Sequence, residues 1–263
     1  VPDLNYDRRG DGPPLLLIHG IGSRWQVWEP ILDDVAEHYD VISVDLPGFG
    51  VSPVEPSLRP GVPGFVTRLA DLCDELGLDR PTVAGNSMGG AIALELGRQG
   101  IAGRVVAYSP IGFWNRAERI WCQRSLATSR RLAGLVRPAL PRLVGNPAGR
   151  VALAGQLIGH PDRVDPAALL EDVHALIDAP GFGSALEEFA HYTVTDPAQE
   201  FGALRDIPAT VAWGSRDALL IYATQHRRAA AALPWAEHVT LPSSGHVPFY
   251  DDPRACADLL IKP

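Results

Sequence analysis

Thr82-Val83-Ala84-Gly85-Asn86-Ser87-Met88-Gly89-Gly90-Ala91 is the stretch on which the fold turns. It opens with a short apolar run of strand character and passes through Gly85-Asn86-Ser87-Met88-Gly89, a G-x-S-x-G motif. It then enters a helical pattern over residues 88–98. A serine between a strand and a helix must occupy a sharp turn with strained backbone angles. The flanking glycines let neighbouring backbone pass where a Cβ would clash. The helix that begins after Ser87 sets its positive end beneath any oxyanion forming at the serine. A turn serine with no chemical task is the competing reading, and the strand and helix on either side weigh against it.

Outward from this stretch the same alternation repeats. Leu15-Leu16-Leu17-Ile18-His19 and Val41-Ile42-Ser43-Val44-Asp45-Leu46 precede it. Val105-Val106-Ala107-Tyr108, Ala209-Thr210-Val211-Ala212-Trp213 and His238-Val239-Thr240-Leu241 follow it. These runs are short, apolar and nearly free of charge, as strands buried on both faces of a parallel sheet are. Helical spacing fills residues 27–38, 64–76, 88–98, 219–232 and 252–261. Strand–helix alternation predicts an α/β fold with right-handed crossovers. Residues 111–203 break the rhythm: they read as several short helices with Pro and Gly stops, inserted between the strand ending near 108 and the strand starting near 209.

The composition excludes some functions. With 31 acidic residues against 23 basic ones, the chain carries a net charge of −8 and lacks the basic face that a nucleic-acid partner requires. No apolar run is long enough to span a bilayer, so no membrane partner is expected. The three cysteines, Cys73, Cys122 and Cys256, are widely spaced and form no CxxC pair, so they read as small buried hydrophobes in a reducing compartment. No signal-peptide pattern is present and a cytoplasmic location is expected. The expected partner is a small-molecule substrate. No metal and no cofactor is expected, and the oligomeric state is not legible.

A serine hydroxyl needs a base. Of eight histidines, His246 stands in Ser243-Ser244-Gly245-His246, just beyond the last strand. In a parallel sheet that is the same edge as Ser87. His19 reads instead as a brace for its own loop. The base needs an orienting carboxylate. Asp217 follows the strand that ends in Trp213-Gly214, again past a strand's C-terminal end, while the preceding strand ends in Ser109-Pro110 with no acid to compete. Ser87, Asp217 and His246 are therefore the candidate catalytic residues. The candidate oxyanion donors are the backbone N–H groups of Met88 and of Ile21, the latter in the glycine-rich loop His19-Gly20-Ile21-Gly22. Trp25, Trp114, Trp121 and Val247 are candidates for the substrate pocket, with Phe182 as a further aromatic in the helical segment.

Over nearly its full length the chain resembles the α/β-hydrolase superfamily. The matching segments are Leu15–Gly22, Asp45-Leu46-Pro47-Gly48-Phe49-Gly50-x-Ser52, the elbow at 85–89, Ile207-Pro208 leading to Trp213-Gly214-x-x-Asp217, and Gly245-His246. The order Ser, Asp, His is that of the superfamily. The resemblance implies a mostly parallel sheet flanked by helices, with residues 1–110 and 204–263 as the core domain and 111–203 as a helical cap. Two departures stand out. The superfamily usually places two antiparallel strands ahead of the oxyanion-loop strand, and here only Val1–Asp11 is available, so the first strand is short or missing. The elbow is similar to that of hydrolases that cleave carbon–carbon bonds in meta-cleavage products, but the tryptophan that usually follows their histidine is replaced by Val247.

The expected function is hydrolysis of a small, largely apolar carboxylic ester through an acyl-serine intermediate. The alternatives are carbon–carbon hydrolysis of a vinylogous diketone, with Arg116, Arg119 and Arg124 holding an acidic substrate, and cofactor-free perhydrolysis. A ligand-binding receptor that keeps the pocket is the non-enzyme alternative.

Overall fold

A computed structural model describes residues 4–194 and 200–262. The strands are β1 (Tyr6–Arg9), β2 (Pro14–Ile18), β3 (Asp40–Val44), β4 (Thr82–Asn86), β5 (Arg104–Tyr108), β6 (Ala209–Gly214) and β7 (Glu237–Leu241). They form one seven-stranded sheet in the order β1-β3-β2-β4-β5-β6-β7. Every pairing is parallel except β1 with β3, where Tyr6 faces Val44 and Arg9 faces Val41. Among the described residues a single four-residue strand precedes β2, in keeping with the expected short first strand. As an edge strand it is half wet, and Arg8 clamps it to Asp40 through a two-pronged ion pair.

The helices around the sheet are α1 (Glu29–Ala36), α2 (Val62–Leu76) and α3 (Met88–Arg98). Between β5 and β6 lie α4 (Arg116–Leu135), α5 (Leu140–Val144), α6 (Pro147–Ala154), α7 (Pro166–Asp178) and α8 (Phe182–Glu188). Then come α9 (Tyr222–Ala232) and α10 (Pro253–Ile261). Alternation along β2 splits the core. Leu16 and Ile18 pack with residues of α2, α3 and α9, whereas Leu15 and Leu17 pack with residues of α1 and α10. The helices between β5 and β6 carry a third apolar cluster of their own, including Leu140, Val144, Ile158 and Leu169.

Helix ends depart from the sequence reading for local reasons. α9 starts at Tyr222 rather than at 219 because Asp217 Oδ1 captures the N–H groups of Leu219 (3.0 Å) and Leu220 (2.8 Å). α1 starts at Glu29 because residues Trp25–Trp28 form a separate 3₁₀ turn. α4 starts at a capping box: Asn115 Oδ1 accepts from the Glu118 N–H, and Glu118 Oε2 accepts from the Asn115 N–H.

The topology positions the site. The chain leaves β2 toward β3, then crosses back over β2 to β4 and continues to β5. The direction of winding thus reverses between β2 and β4, which opens a crevice beyond their C-terminal ends. In register, Ile18 lies beside Gly85, so the loop after Ile18 meets the turn after Asn86. No described helix is long and apolar enough to cross a membrane.

Candidate active site

Ser87 sits between β4 and α3 with φ +59° and ψ −115°. Its N–H donates to the Tyr108 carbonyl (2.9 Å), and its carbonyl accepts from Ile111 (3.1 Å) and Ala91 (3.2 Å). Both of its peptide groups are therefore pinned, which holds the residue in a conformation that costs free energy. The glycines leave no alternative. A Cβ on Gly85 would lie 2.1 Å from the Gly89 carbonyl oxygen, and one on Gly89 would lie 2.1 Å from the Ile18 oxygen. A Cβ on Gly20 would meet the Ser87 Cβ at 3.1 Å, so the loop after β2 runs directly against the serine.

His246 stands in the loop after β7. Its Nδ1 is 2.8 Å from Asp217 Oδ2, and both side chains are buried. The other Asp217 oxygen is held by the Leu219 and Leu220 N–H groups. A carboxylate only accepts, so in the neutral ring the proton is assigned to Nδ1 and the lone pair to Nε2. That Nε2 is buried and makes no hydrogen bond with the described residues. His246 and Ser87 line one cavity, but no hydrogen bond joins their side chains. A contact of this kind commonly tightens only with substrate in place.

The loop after β2 is braced by His19. Its Nε2 accepts from the Leu46 N–H (3.0 Å), which leaves the proton on Nδ1 to donate to the Gly20 carbonyl (2.7 Å). Burial holds its pKa below the usual imidazole value, so this tautomer stays neutral. Asp45 fastens the adjoining loops by accepting from Trp25 N–H, Asn5 Nδ2 and Val51 N–H. Ile21 lines the same cavity as Ser87. Met88 opens α3, so its N–H has no intrahelical acceptor.

This arrangement of sheet, elbow and loops has known counterparts. Residues 15–259 match the Alpha/beta hydrolase family. The chain belongs to this family. It is 29% identical over 261 residues to an uncharacterized protein of Mycobacterium tuberculosis, covering 95% of this chain and 75% of that one. A shorter stretch of 95 residues, 35% of this chain and 34% of the other, is 38% identical to a 2-hydroxy-6-oxo-2,4-heptadienoate hydrolase of Pseudomonas putida. A thermophilic esterase from Thermogutta terrifontis superposes with a TM-score of 0.73 at 24% identity, covering 98% of this chain and 91% of that one. At that identity the likeness is one of fold.

Within this alpha/beta hydrolase the cavity at Ser87 encloses about 100 Å³. Its walls are mostly apolar, with Val27 and Val247 from the core and Leu126, Leu153, Leu169 and Leu176 from the helical segment. Of the four pocket residues predicted from sequence, only Val247 lies on it. Trp25 faces a different depression and stands beside the Arg9 guanidinium. Trp114 is buried against Phe189 and donates its indole N–H to the Tyr192 carbonyl. Trp121 is half exposed on an outer groove, its N–H bound to the Ala218 carbonyl. Phe182 is buried beneath the Arg130 guanidinium. Each aromatic has spent its ring or its N–H on a neighbour elsewhere.

The sequence reading missed three positioning groups. Asn86, the variable residue of the motif, donates from Nδ2 to the carbonyls of His246 (2.9 Å) and Tyr108 (3.1 Å), tying the histidine loop to the elbow. Asp251 accepts from the N–H groups of Gly245 (2.8 Å), Gly159 (2.8 Å) and His160 (2.7 Å), locking the same loop to the segment after α6. Asp172 and Tyr250 lie on the cavity wall and are joined by a 2.6 Å hydrogen bond. For Asp172 no motif gave a signal, since an acid on an amphipathic helix ordinarily reads as a solvated face.

Proposed function

We propose that this protein is a serine hydrolase that cleaves a small, largely apolar carboxylic ester through an acyl-enzyme. One observation carries the reading: a serine in a strained elbow shares a cavity with a buried histidine whose Nε2 is free and whose Nδ1 is held by a buried carboxylate. Ser87 Oγ attacks the ester carbonyl while His246 Nε2 takes its proton. His246 returns that proton to the departing alcohol, then draws a proton from water as the water attacks the acyl group. Asp217 keeps the imidazole oriented and stabilises its charged form. The Met88 and Ile21 N–H groups receive the negative oxygen of each tetrahedral intermediate, and losing one such donor costs ~100-fold or more in rate.

In this reading residues 111–203 act as a cap that walls the cavity. The cavity is well below the ~300–1,000 Å³ of drug-sized pockets, which favours a short acyl or alcohol group. The partial likeness to a dienoate hydrolase keeps carbon–carbon cleavage as a second reading. Arg116, Arg119 and Arg124, the cations offered for an acidic substrate, are all absent from the cavity lining, which favours the ester.

The test is turnover of p-nitrophenyl acetate and butyrate by wild type and Ser87→Ala, alongside one dienoate substrate. Loss of ester turnover in Ser87→Ala by at least ~1,000-fold is expected. Equal turnover by both proteins refutes the reading, and turnover of the dienoate far above the esters replaces it with the second.

A further inference from the structure

Among the residues that line the Ser87 cavity, only Asp172, Tyr250 and His246 have ionisable side chains. His246 belongs to the proposed triad. Asp172 projects from α7, and Tyr250 stands four residues beyond His246 in the short 3₁₀ turn Pro248–Tyr250. The Tyr250 hydroxyl donates to Asp172 Oδ2 (2.6 Å). The other oxygen, Oδ1, is 3.8 Å from Arg24 Nε, too far for a hydrogen bond. A carboxylate offers about four acceptor sites, and among the described residues this one fills a single site.

Packing alone does not call for an acid here. Its neighbours on the wall, Leu169, Val173 and Leu176, are apolar. Asp172 is half-buried among them, and that disfavours its ionised form: desolvation raises the Asp172 pKa to about 6. One oxygen serves the tie to Tyr250, and the other is left open on a residue that lines the cavity holding the nucleophile, where it can meet a ligand.

The chemistry of the ligand follows. The open Oδ1 accepts, so the partner must donate. Arg24 faces the carboxylate from one side, and the rest of the cavity lining is mostly apolar, so an ammonium would lose its water on entering. A neutral donor carries no such penalty.

We propose that Asp172, steadied by Tyr250, is a specificity residue that selects esters bearing a neutral hydrogen-bond donor, a hydroxyl or an amide N–H, away from the scissile carbonyl. This rests on the ester-hydrolase reading and extends it to the class of substrate.

The experiment compares isosteric pairs: p-nitrophenyl 3-hydroxybutanoate against 3-methylbutanoate, and the corresponding pairs with the hydroxyl moved one and two carbons outward. The readout is the hydroxy-to-methyl ratio of kcat/KM. In wild type at pH 8 the ratio exceeds 1 for at least one pair. In Asp172→Leu it falls about 10- to 100-fold, the range for a lost hydrogen bond to a charged acceptor. Asp172→Asn retains an oxygen for Tyr250 and so protects the fold, yet it presents a donor amide to the cavity, and the ratio falls there too. A wild-type ratio at or below 1 for every pair, or a ratio unchanged in both variants, overturns the proposal and leaves Asp172 as a tie between α7 and the histidine loop. If wild type cleaves no ester, the ester reading fails by itself. The same preference is then read by calorimetric titration of the matching free amides, where equal affinity for the hydroxy and methyl members overturns the proposal.

Discussion

Replacing Ser87 by glycine should make the protein more stable than replacing it by alanine, although both changes remove the nucleophile. Ser87 is held at φ +59° and ψ −115°, a conformation that side-chain-bearing residues rarely adopt and that glycine accepts freely. Holding a non-glycine residue in such a region costs of order 1–3 kcal/mol. Alanine keeps that strain because it keeps the Cβ. Glycine releases it but gains freedom in the unfolded chain, which returns about 0.4–1 kcal/mol. Taken at mid-range, the difference is about 1–2 kcal/mol in favour of Ser87→Gly. At about 2–4 °C per kcal/mol for a chain of roughly this size, that is a rise in Tm of about 2–8 °C over Ser87→Ala. The backbone bonds of residue 87 to Tyr108, Ala91 and Ile111 involve no side-chain atoms, so both variants retain them. Urea unfolding followed by tryptophan fluorescence, with the two variants side by side, gives the comparison. If Ser87→Gly proves no more stable than Ser87→Ala, the elbow is not strained and the fold sacrifices no stability to aim this serine.

Two further outcomes follow from the same structure. Asp172 has its pKa raised from 3.8 to about 6, so between those values the folded state binds the proton more tightly than the unfolded state does. The penalty is absent below about pH 4, grows as the pH rises, and is complete above about pH 6, reaching about 3 kcal/mol at ~1.4 kcal/mol per unit. Asp172→Asn should therefore be more stable than wild type at pH 8, with the gain shrinking toward pH 4.5. A gain that is absent at pH 8, or independent of pH, contradicts the assignment. Asn86→Ala leaves the carbonyls of His246 and Tyr108 without their shared donor, which costs about 1–3 kcal/mol of stability. It also loosens the histidine loop, so kcat should fall more than KM changes; an unaltered kcat would show that Asp251 and Asp217 hold the loop without Asn86.

The sheet, and the loops that reach its C-terminal edge, are legible in the order of residues. Strands buried on both faces must be short and apolar, so β2 to β6 announce themselves, and each parallel strand delivers its following loop to the same edge. Ser87, Asp217 and His246 are all placed at that edge by this rule, since each lies in the turn or loop that follows a strand, and this needs no knowledge of side-chain packing. The glycines at 85 and 89 are legible for the same local reason: backbone passes within reach of any Cβ there.

Which side chains wall the serine cavity depends on how distant segments pack. The helices between β5 and β6 bury one face on the third apolar cluster and turn others toward the cavity or outward, and a helical period marks an apolar face without saying which neighbour covers it. Hence Trp25, Trp114 and Trp121, plausible as pocket aromatics, are engaged elsewhere, while Leu153, Leu169 and Leu176 form the wall. Asp172 and Tyr250 lie 78 residues apart and meet only because α7 packs over the histidine loop. Their contact depends on the rotation of a helix about its axis, which is set by packing between distant segments and leaves no trace in local residue spacing.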